Sequence, residues 1–120
     1  NIFLLAPTSS EDRIKKIVSL ASGYLYCVSL NGVTGAGNLD IKAVSEKLAS
    51  IKRFTDLPIT VGFGIKDGVS AAALAPLCEG VVVGSALIER LVATDADKTV
   101  EQRAALAAAL IAEIRSAIDA

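Results

Sequence analysis

The sequence contains no histidine, no methionine and no tryptophan, and only two of its 120 residues are cysteines. Without histidine the chain lacks the commonest general base and a common metal ligand. Cys27 and Cys78 have neither the spacing of a metal site nor that of a disulfide framework. We therefore expect two free, buried thiols and no metal.

Neither sign of charge dominates, since 12 basic residues stand against 13 acidic ones and the net charge is −1. The charges are scattered, so no nucleic acid partner is expected. No apolar run approaches the roughly 20 residues that span a bilayer, and no signal-type segment follows Asn1. These features predict no membrane contact and a cytoplasmic location. A hydrophobic content of 52% predicts one large core in a single domain over 1–120.

Four short apolar runs, each followed by an amphipathic segment, predict four strand–helix units. The predicted strands cover 2–6, 24–30, 59–63 and 81–83, the last of them fully buried. Polar residues with capping potential precede four of the helical segments. The expected caps are Thr8, Asp40, Asp67 and Thr99. Gly23 is expected to end the first helix, and Pro76 to kink or end the third.

Strands that are apolar on both faces, separated by amphipathic helices, are typical of a parallel sheet covered by helices. An open doubly wound sheet and part of a (β/α)8 barrel both satisfy this pattern. In a barrel all loops after strands gather at one face. The strand ends that carry Gly35, Gly64 and Gly84 would then face a common ligand.

The fourth strand gives way to a helix through Gly84 and Ser85. Glycine allows close backbone approach, and the first N–H groups of a helix attract an anion. Ser85 can add a hydroxyl donor, so the sequence predicts a phosphate site without lysine or arginine. A tight turn with Ser85 as the helix N-cap has the same pattern. Asp67 beyond the third strand has a catalytic interpretation, but helix capping is favoured.

Four segments carry a family resemblance: Leu4-Leu5-Ala6-Pro7-Thr8-Ser9, Gly32-Val33-Thr34-Gly35-Ala36, Val61-Gly62-Phe63-Gly64-Ile65 and Gly80-Val81-Val82-Val83-Gly84-Ser85-Ala86. In this order and spacing they closely resemble the tryptophan synthase α subunit over nearly the whole chain. The resemblance implies the second half of a (β/α)8 TIM barrel, strands five to eight, in a fragment of a longer domain. Its implied activity is a lyase reaction in tryptophan biosynthesis, the cleavage of indole-3-glycerol phosphate to indole and glyceraldehyde 3-phosphate.

The resemblance also assigns roles to individual residues. The implied phosphate ligands are Gly35, Gly64, Gly84 and Ser85. Tyr26 and Phe63 would face the indole end, and Thr34 in an exposed, mobile loop would close over the substrate. Each of these three side chains has an ordinary alternative: Tyr26 as a core aromatic, Phe63 as barrel packing, and Thr34 bonded to its own backbone.

The two acidic catalytic residues of the family come from strand and loop two, which this sequence does not contain. We therefore expect no catalytic residue in this chain and no activity from the chain alone. The implied partners are a complementary N-terminal half-barrel and a tryptophan synthase β subunit in a heterotetramer. No cofactor is expected in this chain, because pyridoxal phosphate would belong to the β subunit.

Two other functions stay open at this stage. Half a barrel has open sheet edges, which favour a non-catalytic assembly or phosphate-binding module that docks on a partner or on a second copy. Another phosphate-binding barrel, such as indole-glycerol-phosphate synthase or a sugar-phosphate epimerase, is the third reading. The loop at 32–36 argues against it.

Overall fold

The computed structural model describes residues 1–29, 40–62, 64–92 and 98–120. Strands and helices alternate along the chain, and the third helix continues into a 3₁₀ turn. The elements are β1 (Phe3–Leu5), α1 (Glu11–Val18), β2 (Leu25–Val28), α2 (Ile41–Lys52), β3 (Ile59–Gly62), α3 (Gly68–Leu74) with the 3₁₀ turn Ala75–Leu77, β4 (Gly80–Val82), α4 (Ser85–Val92) and α5 (Val100–Asp119).

The four strands form one sheet in the order β1-β2-β3-β4, and every pair is parallel. The prediction of a parallel sheet is therefore confirmed. A doubly wound sheet reverses its strand order at a switch point, and these four strands have no such reversal. Their simple succession is the order found in a (β/α)8 barrel. In the described ranges β1 and β4 pair on one side only, which leaves both outer edges of the sheet unpaired.

One face of the sheet carries the hydrophobic core. Alternate strand residues point to this face and are at most 2% exposed, namely Leu5, Leu25, Cys27, Ile59 and Val61. They pack against buried helix residues, among them Ile14, Leu48, Ile51, Leu74 and Leu110. Because successive side chains of a strand alternate between faces, the residues between them point the other way.

The opposite face, which we call the open sheet face, carries Leu4, Tyr26, Val28, Thr60, Gly62, Gly80 and Val82. Leu4 is 62% exposed there. Val81 to Val83 are half-buried, so the prediction of a fully buried fourth strand is wrong. β4 is an edge strand with one uncovered face, and both properties expose its side chains.

The first helix differs from its prediction at both ends. Ser10, rather than Thr8, is the N-cap, and its Oγ accepts from the Arg13 N–H at 3.4 Å. The helix ends at Val18 rather than at Gly23, and the Ser19 hydroxyl donates to the Lys16 carbonyl at 2.8 Å. Such a bond back to the last turn competes with further helix.

Gly23 lies in the turn before β2 with φ of 81°, a left-handed conformation that favours glycine. The three other predicted caps are confirmed. Asp40 accepts from Ala43, and Asp67 and Thr99 form capping boxes. Pro76 lies in the 3₁₀ turn that ends the third helix, as predicted.

Glu79 joins the beginnings of β3 and β4 at the end of the sheet opposite to the glycine loops. Its carboxylate accepts from the Ile59 N–H at 2.7 Å and from Lys52 Nζ at 2.7 Å. Partial burial raises the pKa of Glu79, but these two donors outweigh burial and hold the pKa below its usual value. The ionised Glu79 side chain therefore links α2 to the beginnings of β3 and β4.

Both cysteines are free, as predicted. Cys27 is buried and Cys78 is half-buried, so the expectation of burial is confirmed for the first and only partly met by the second. Burial raises the pKa of Cys27 to about 11. Within the described ranges no helix is long and apolar enough to cross a bilayer.

Candidate functional site

The strand-end side of β3 and β4 contains Gly64 and Gly84, two of the three glycines that the sequence singled out. Gly64 follows β3 with φ of 80° and is exposed. An L side chain at this position would be strained, so the conformation itself requires glycine. Ile65, the next residue, is buried at 4% exposure and fixes the far side of the turn in the core.

Gly84 has a different reason for being glycine. Its φ is not positive, and a Cβ at this position would meet no described atom within 4 Å. The described fold therefore does not exclude a side chain at Gly84. The absence of one keeps open the space in front of α4, which is what a ligand approaching the backbone needs.

Helix α4 begins at this open space. The Gly84 carbonyl accepts from the N–H groups of Leu87 and Ile88, at 3.0 and 3.1 Å. Ser85 is thus the first residue of the helix, and the alternative in which Ser85 is the N-cap is wrong. Helix geometry leaves the N–H groups of Ser85 and Ala86 without an acceptor inside the helix. They point toward the space in front of Gly84, with the positive end of the helix dipole.

Tyr26 lies on the open sheet face, between its strand partners Leu4 and Thr60. Its ring covers Gly62, and a Cβ built there would stand 2.0 Å from Tyr26 Oη and 2.5 Å from Cζ. Tyr26 is therefore outside the core that β2 shares with the helices. Its half-buried ring faces the side on which a closed barrel has its interior.

Three predicted site residues, Thr34, Gly35 and Phe63, lie outside the described residues, as does the rest of the loop at 31–38. The convergence of three glycine turns on one ligand stays a prediction. What the structure places side by side are the ends of the adjacent strands β3 and β4, with Gly64 after one and Gly84 after the other.

Ser29 is a residue of this region that the sequence reasoning missed. It follows β2 directly and is 2% exposed. Its backbone N–H and its hydroxyl both donate to the Gly62 carbonyl, each at 2.9 Å. The available signal was a serine at the end of an apolar run, immediately before a glycine-rich loop.

Asp67, the acidic residue that follows the Gly64 turn, has a structural role. Asp67 accepts from the backbone N–H and the hydroxyl of Ser70, and these bonds lower the pKa of Asp67. The favoured interpretation of Asp67 as a cap is confirmed. Among the described side chains no group of three or more His, Cys, Asp or Glu is arranged to hold a metal ion.

The structure combines consecutive parallel strand–helix units with a glycine turn and an open helix N-terminus at the ends of two neighbouring strands. These features define the α/β class of barrels whose strand-end loops are suited to a phosphate.

The sequence profile of the family described as "Tryptophan synthase alpha chain" matches residues 1–118. This chain belongs to that family. A tryptophan synthase alpha chain from Thioalkalivibrio sulfidiphilus is 53% identical over 118 residues, and one from Dechloromonas aromatica is 49% identical over 118 residues.

Solved structures agree with the sequence comparison. Tryptophan synthase subunit alpha from Legionella pneumophila superposes with a TM-score of 0.78 at 35% identity, covering 98% of this chain. Tryptophan synthase from M. tuberculosis gives a TM-score of 0.74 at 30% identity over the same share. The chain covers 44% of the Thioalkalivibrio relative and 42% of the Legionella structure, so it spans less than half the length of either.

Proposed function

We propose that this chain is the phosphate-binding, C-terminal half of a lyase barrel that cleaves indole-3-glycerol phosphate to indole and glyceraldehyde 3-phosphate. One observation carries the proposal. Helix α4 presents its first N–H groups to the open space at Gly84, beside the Gly64 turn of the adjacent strand, in a chain of the tryptophan synthase alpha family. We assign the chain to strands five to eight of the barrel.

The phosphate would be held by neutral donors. The N–H groups around Gly64, Gly84 and Ser85 and the Ser85 hydroxyl supply them, together with Gly35. Such donors satisfy phosphate oxygens, and the dipole of α4 adds favourable electrostatic energy of about 0.3–1 kcal/mol. Because these hydrogen bonds act on the phosphate end of the substrate, which does not react, they lower KM and position the molecule for the reaction.

The other predicted residues take the organic part of the substrate. Tyr26 and Phe63 would line the indole side of the barrel interior, and Thr34 would close over the bound substrate. None of these groups supplies the acid that must protonate the indole ring carbon or the base that takes the glycerol hydroxyl proton. We place both in a complementary N-terminal half-barrel, and we expect this chain alone to be inactive.

The open sheet face supports a requirement for that second half. Leu4 in β1 is 62% exposed, and Ile2 just before β1 is 42% exposed, although both side chains are apolar. A complementary half would cover this face and pair both free strand edges. We further propose a tryptophan synthase β subunit as partner, with pyridoxal phosphate in that subunit and none in this chain, in the cytoplasm.

The decisive experiment completes the barrel. A hybrid barrel is made by replacing the matching 118-residue segment of the Thioalkalivibrio sulfidiphilus alpha chain with this chain. Indole release from indole-3-glycerol phosphate is then measured with and without a β subunit. Activity within about tenfold of the parent relative supports the proposal. A folded hybrid that binds glycerol 3-phosphate but releases no indole contradicts the lyase assignment.

The same open sheet face favours one second candidate, a non-catalytic module that assembles with another copy of itself. Two copies would supply eight parallel strands, enough to close a ring. Sedimentation of the 120-residue chain separates the candidates. A stable dimer favours self-assembly, whereas a species that associates only with an N-terminal half-barrel favours the lyase half.

A further inference from the structure

Ser29 is the described residue that ties the end of β2 to the glycine segment after β3. Its backbone N–H continues the parallel ladder one step beyond β2 and donates to the Gly62 carbonyl at 2.9 Å. The hydroxyl donates to the same oxygen at 2.9 Å. A carbonyl oxygen has two lone pairs, and here one residue supplies a donor for each.

The position of this bond matters because Gly62 stands two residues before Gly64 in the chain. Gly62 and Gly64 both lack a Cβ, and Gly64 adopts φ of 80°. Glycine loses more conformational entropy than any other residue when it is fixed. A ligand that had to order this turn would bind more weakly, because ordering costs free energy at the moment of binding.

Gly62 is held from two directions. The Tyr26 ring lies against its Cα from the open sheet face, and Ser29 holds its carbonyl from the neighbouring strand. The Ser29 side chain is 2% exposed, so water does not compete for the bond. These two contacts hold Gly62, two residues before Gly64.

We propose that Ser29 is a positioning residue for the phosphate turn at Gly64. Its hydroxyl fixes the Gly62 carbonyl, and the fixed carbonyl keeps the Gly64 backbone in place before the phosphate arrives. Ser29 itself does not touch the substrate. This inference rests on the proposed phosphate site and adds a residue that neither composition nor loop motifs identified.

The test uses the hybrid barrel, which retains the whole matched chain. Ser29→Ala removes the hydroxyl and should weaken glycerol 3-phosphate binding about fivefold in titration calorimetry. The KM for indole-3-glycerol phosphate should rise by a similar factor, while kcat changes less than about twofold. The reason is that the phosphate is bound equally strongly in the ground state and in the transition state.

Thr60→Val is the matched control. The Thr60 hydroxyl donates to the Leu25 carbonyl at 3.3 Å in the same sheet, near the beginning of β3. Its loss removes a cross-strand hydrogen bond of the same sheet, four residues before Gly64 and not made to the Gly62 carbonyl. Thr60→Val should lower the unfolding midpoint but leave the Kd for glycerol 3-phosphate unchanged.

Two further variants keep the test decisive. Ser29→Thr retains the hydroxyl, and Ser29 lines a small cavity of about 40 Å³ that can receive part of the added methyl group. This variant should bind within about twofold of the parent hybrid. Ser29→Cys is nearly isosteric with a weaker donor, and it reports on affinity if Ser29→Ala does not fold.

An unchanged Kd in folded Ser29→Ala overturns the inference while the phosphate site stands. If Ser29→Ala does not fold, an unchanged Kd in Ser29→Cys overturns it. Equal weakening by Thr60→Val also overturns it, because the effect would then be a general loss of sheet stability. If the parent hybrid binds no glycerol 3-phosphate, the phosphate site itself fails and the role of Ser29 with it.

Discussion

The substitution of Gly62 by alanine probes the close approach of Tyr26 to the backbone of β3. A Cβ at this position would stand 2.0 Å from Tyr26 Oη, 2.5 Å from Cζ and 3.2 Å from Cε2. Ordinary van der Waals contact begins near 3.4 Å, so the end of the ring must move by more than about 1 Å. Gly62 has no positive φ, so alanine meets no backbone strain there.

The size of the stability change follows from the displacement of the Tyr26 ring. Overpacking costs about 1–3 kcal/mol, and the low half of this range applies because the obstacle is a half-buried ring rather than backbone. Against this cost, alanine stabilises the folded state by about 0.5–1 kcal/mol, because it lowers the conformational entropy of the unfolded chain at a strand position. We expect Gly62→Ala to destabilise the hybrid barrel by about 1 kcal/mol and to push the Tyr26 ring further over the open sheet face.

A double-mutant cycle with Tyr26→Ala is the assay, with unfolding free energies from denaturant titration. Without the ring, the destabilisation by Gly62→Ala should disappear or become a stabilisation of about 0.5 kcal/mol. Gly80→Ala is the matched control, since its Cβ would meet only Thr60 Cγ2 at 3.3 Å. An equal cost for Gly62→Ala with and without Tyr26 would refute the reasoning.

Three further predictions concern helix packing, an ion pair and a thiol. Gly68→Ala places a Cβ 2.9 Å from Ala117 Cβ, where two helices pack, and should lower the unfolding free energy by about 1 kcal/mol. Glu79→Gln should cost about 1 kcal/mol near neutral pH, discounted for exposure, and its deficit relative to the parent should shrink as the pH falls through the lowered pKa of Glu79. Cys27, with a pKa of about 11, should resist iodoacetamide at pH 8 in the folded protein.

Each of these predictions has its own check. Gly68→Ala should cost less in an Ala117→Gly background than in the parent, and an equal cost in both backgrounds would place the strain elsewhere. For Glu79, denaturant titrations from pH 7 to pH 3 measure the loss of stability in Glu79→Gln. A loss that stays constant across this range would contradict the role of the ionised carboxylate. Peptide mapping after alkylation reports on Cys27, and labelling of the folded protein at the unfolded rate would contradict its burial.

The sequence was sufficient for the α/β class and for most of the fold. Apolar runs of strand length between helices of one-sided hydrophobicity require a parallel sheet covered by helices, whatever the details of packing. The caps Asp40, Asp67 and Thr99 were predictable because a capping bond is made within a few residues of the chain. The errors at Thr8 and Gly23 are also local, since neighbouring serines compete for the same donors and carbonyls.

The candidate site was only partly predictable. Gly64 and Gly84 were identified from the sequence, yet the structure gives them different reasons for being glycine: positive φ at the first and open space at the second. Tyr26 left two readings open, because a strand residue points to either face until its register is known. Ser29 was missed because its acceptor, Gly62, lies 33 residues away.

The sequence by itself determined which residues form strands and helices, where most helices begin, and which strand ends carry glycine, because these depend on residue type and on bonds within a few residues. Only the tertiary structure decided the strand order, the face on which Tyr26 lies, the contact of Tyr26 with Gly62 and the Ser29 bond that holds this glycine. These depend on how β2 and β3 align in the sheet, and that alignment is set by the burial of the other strand face against the helices.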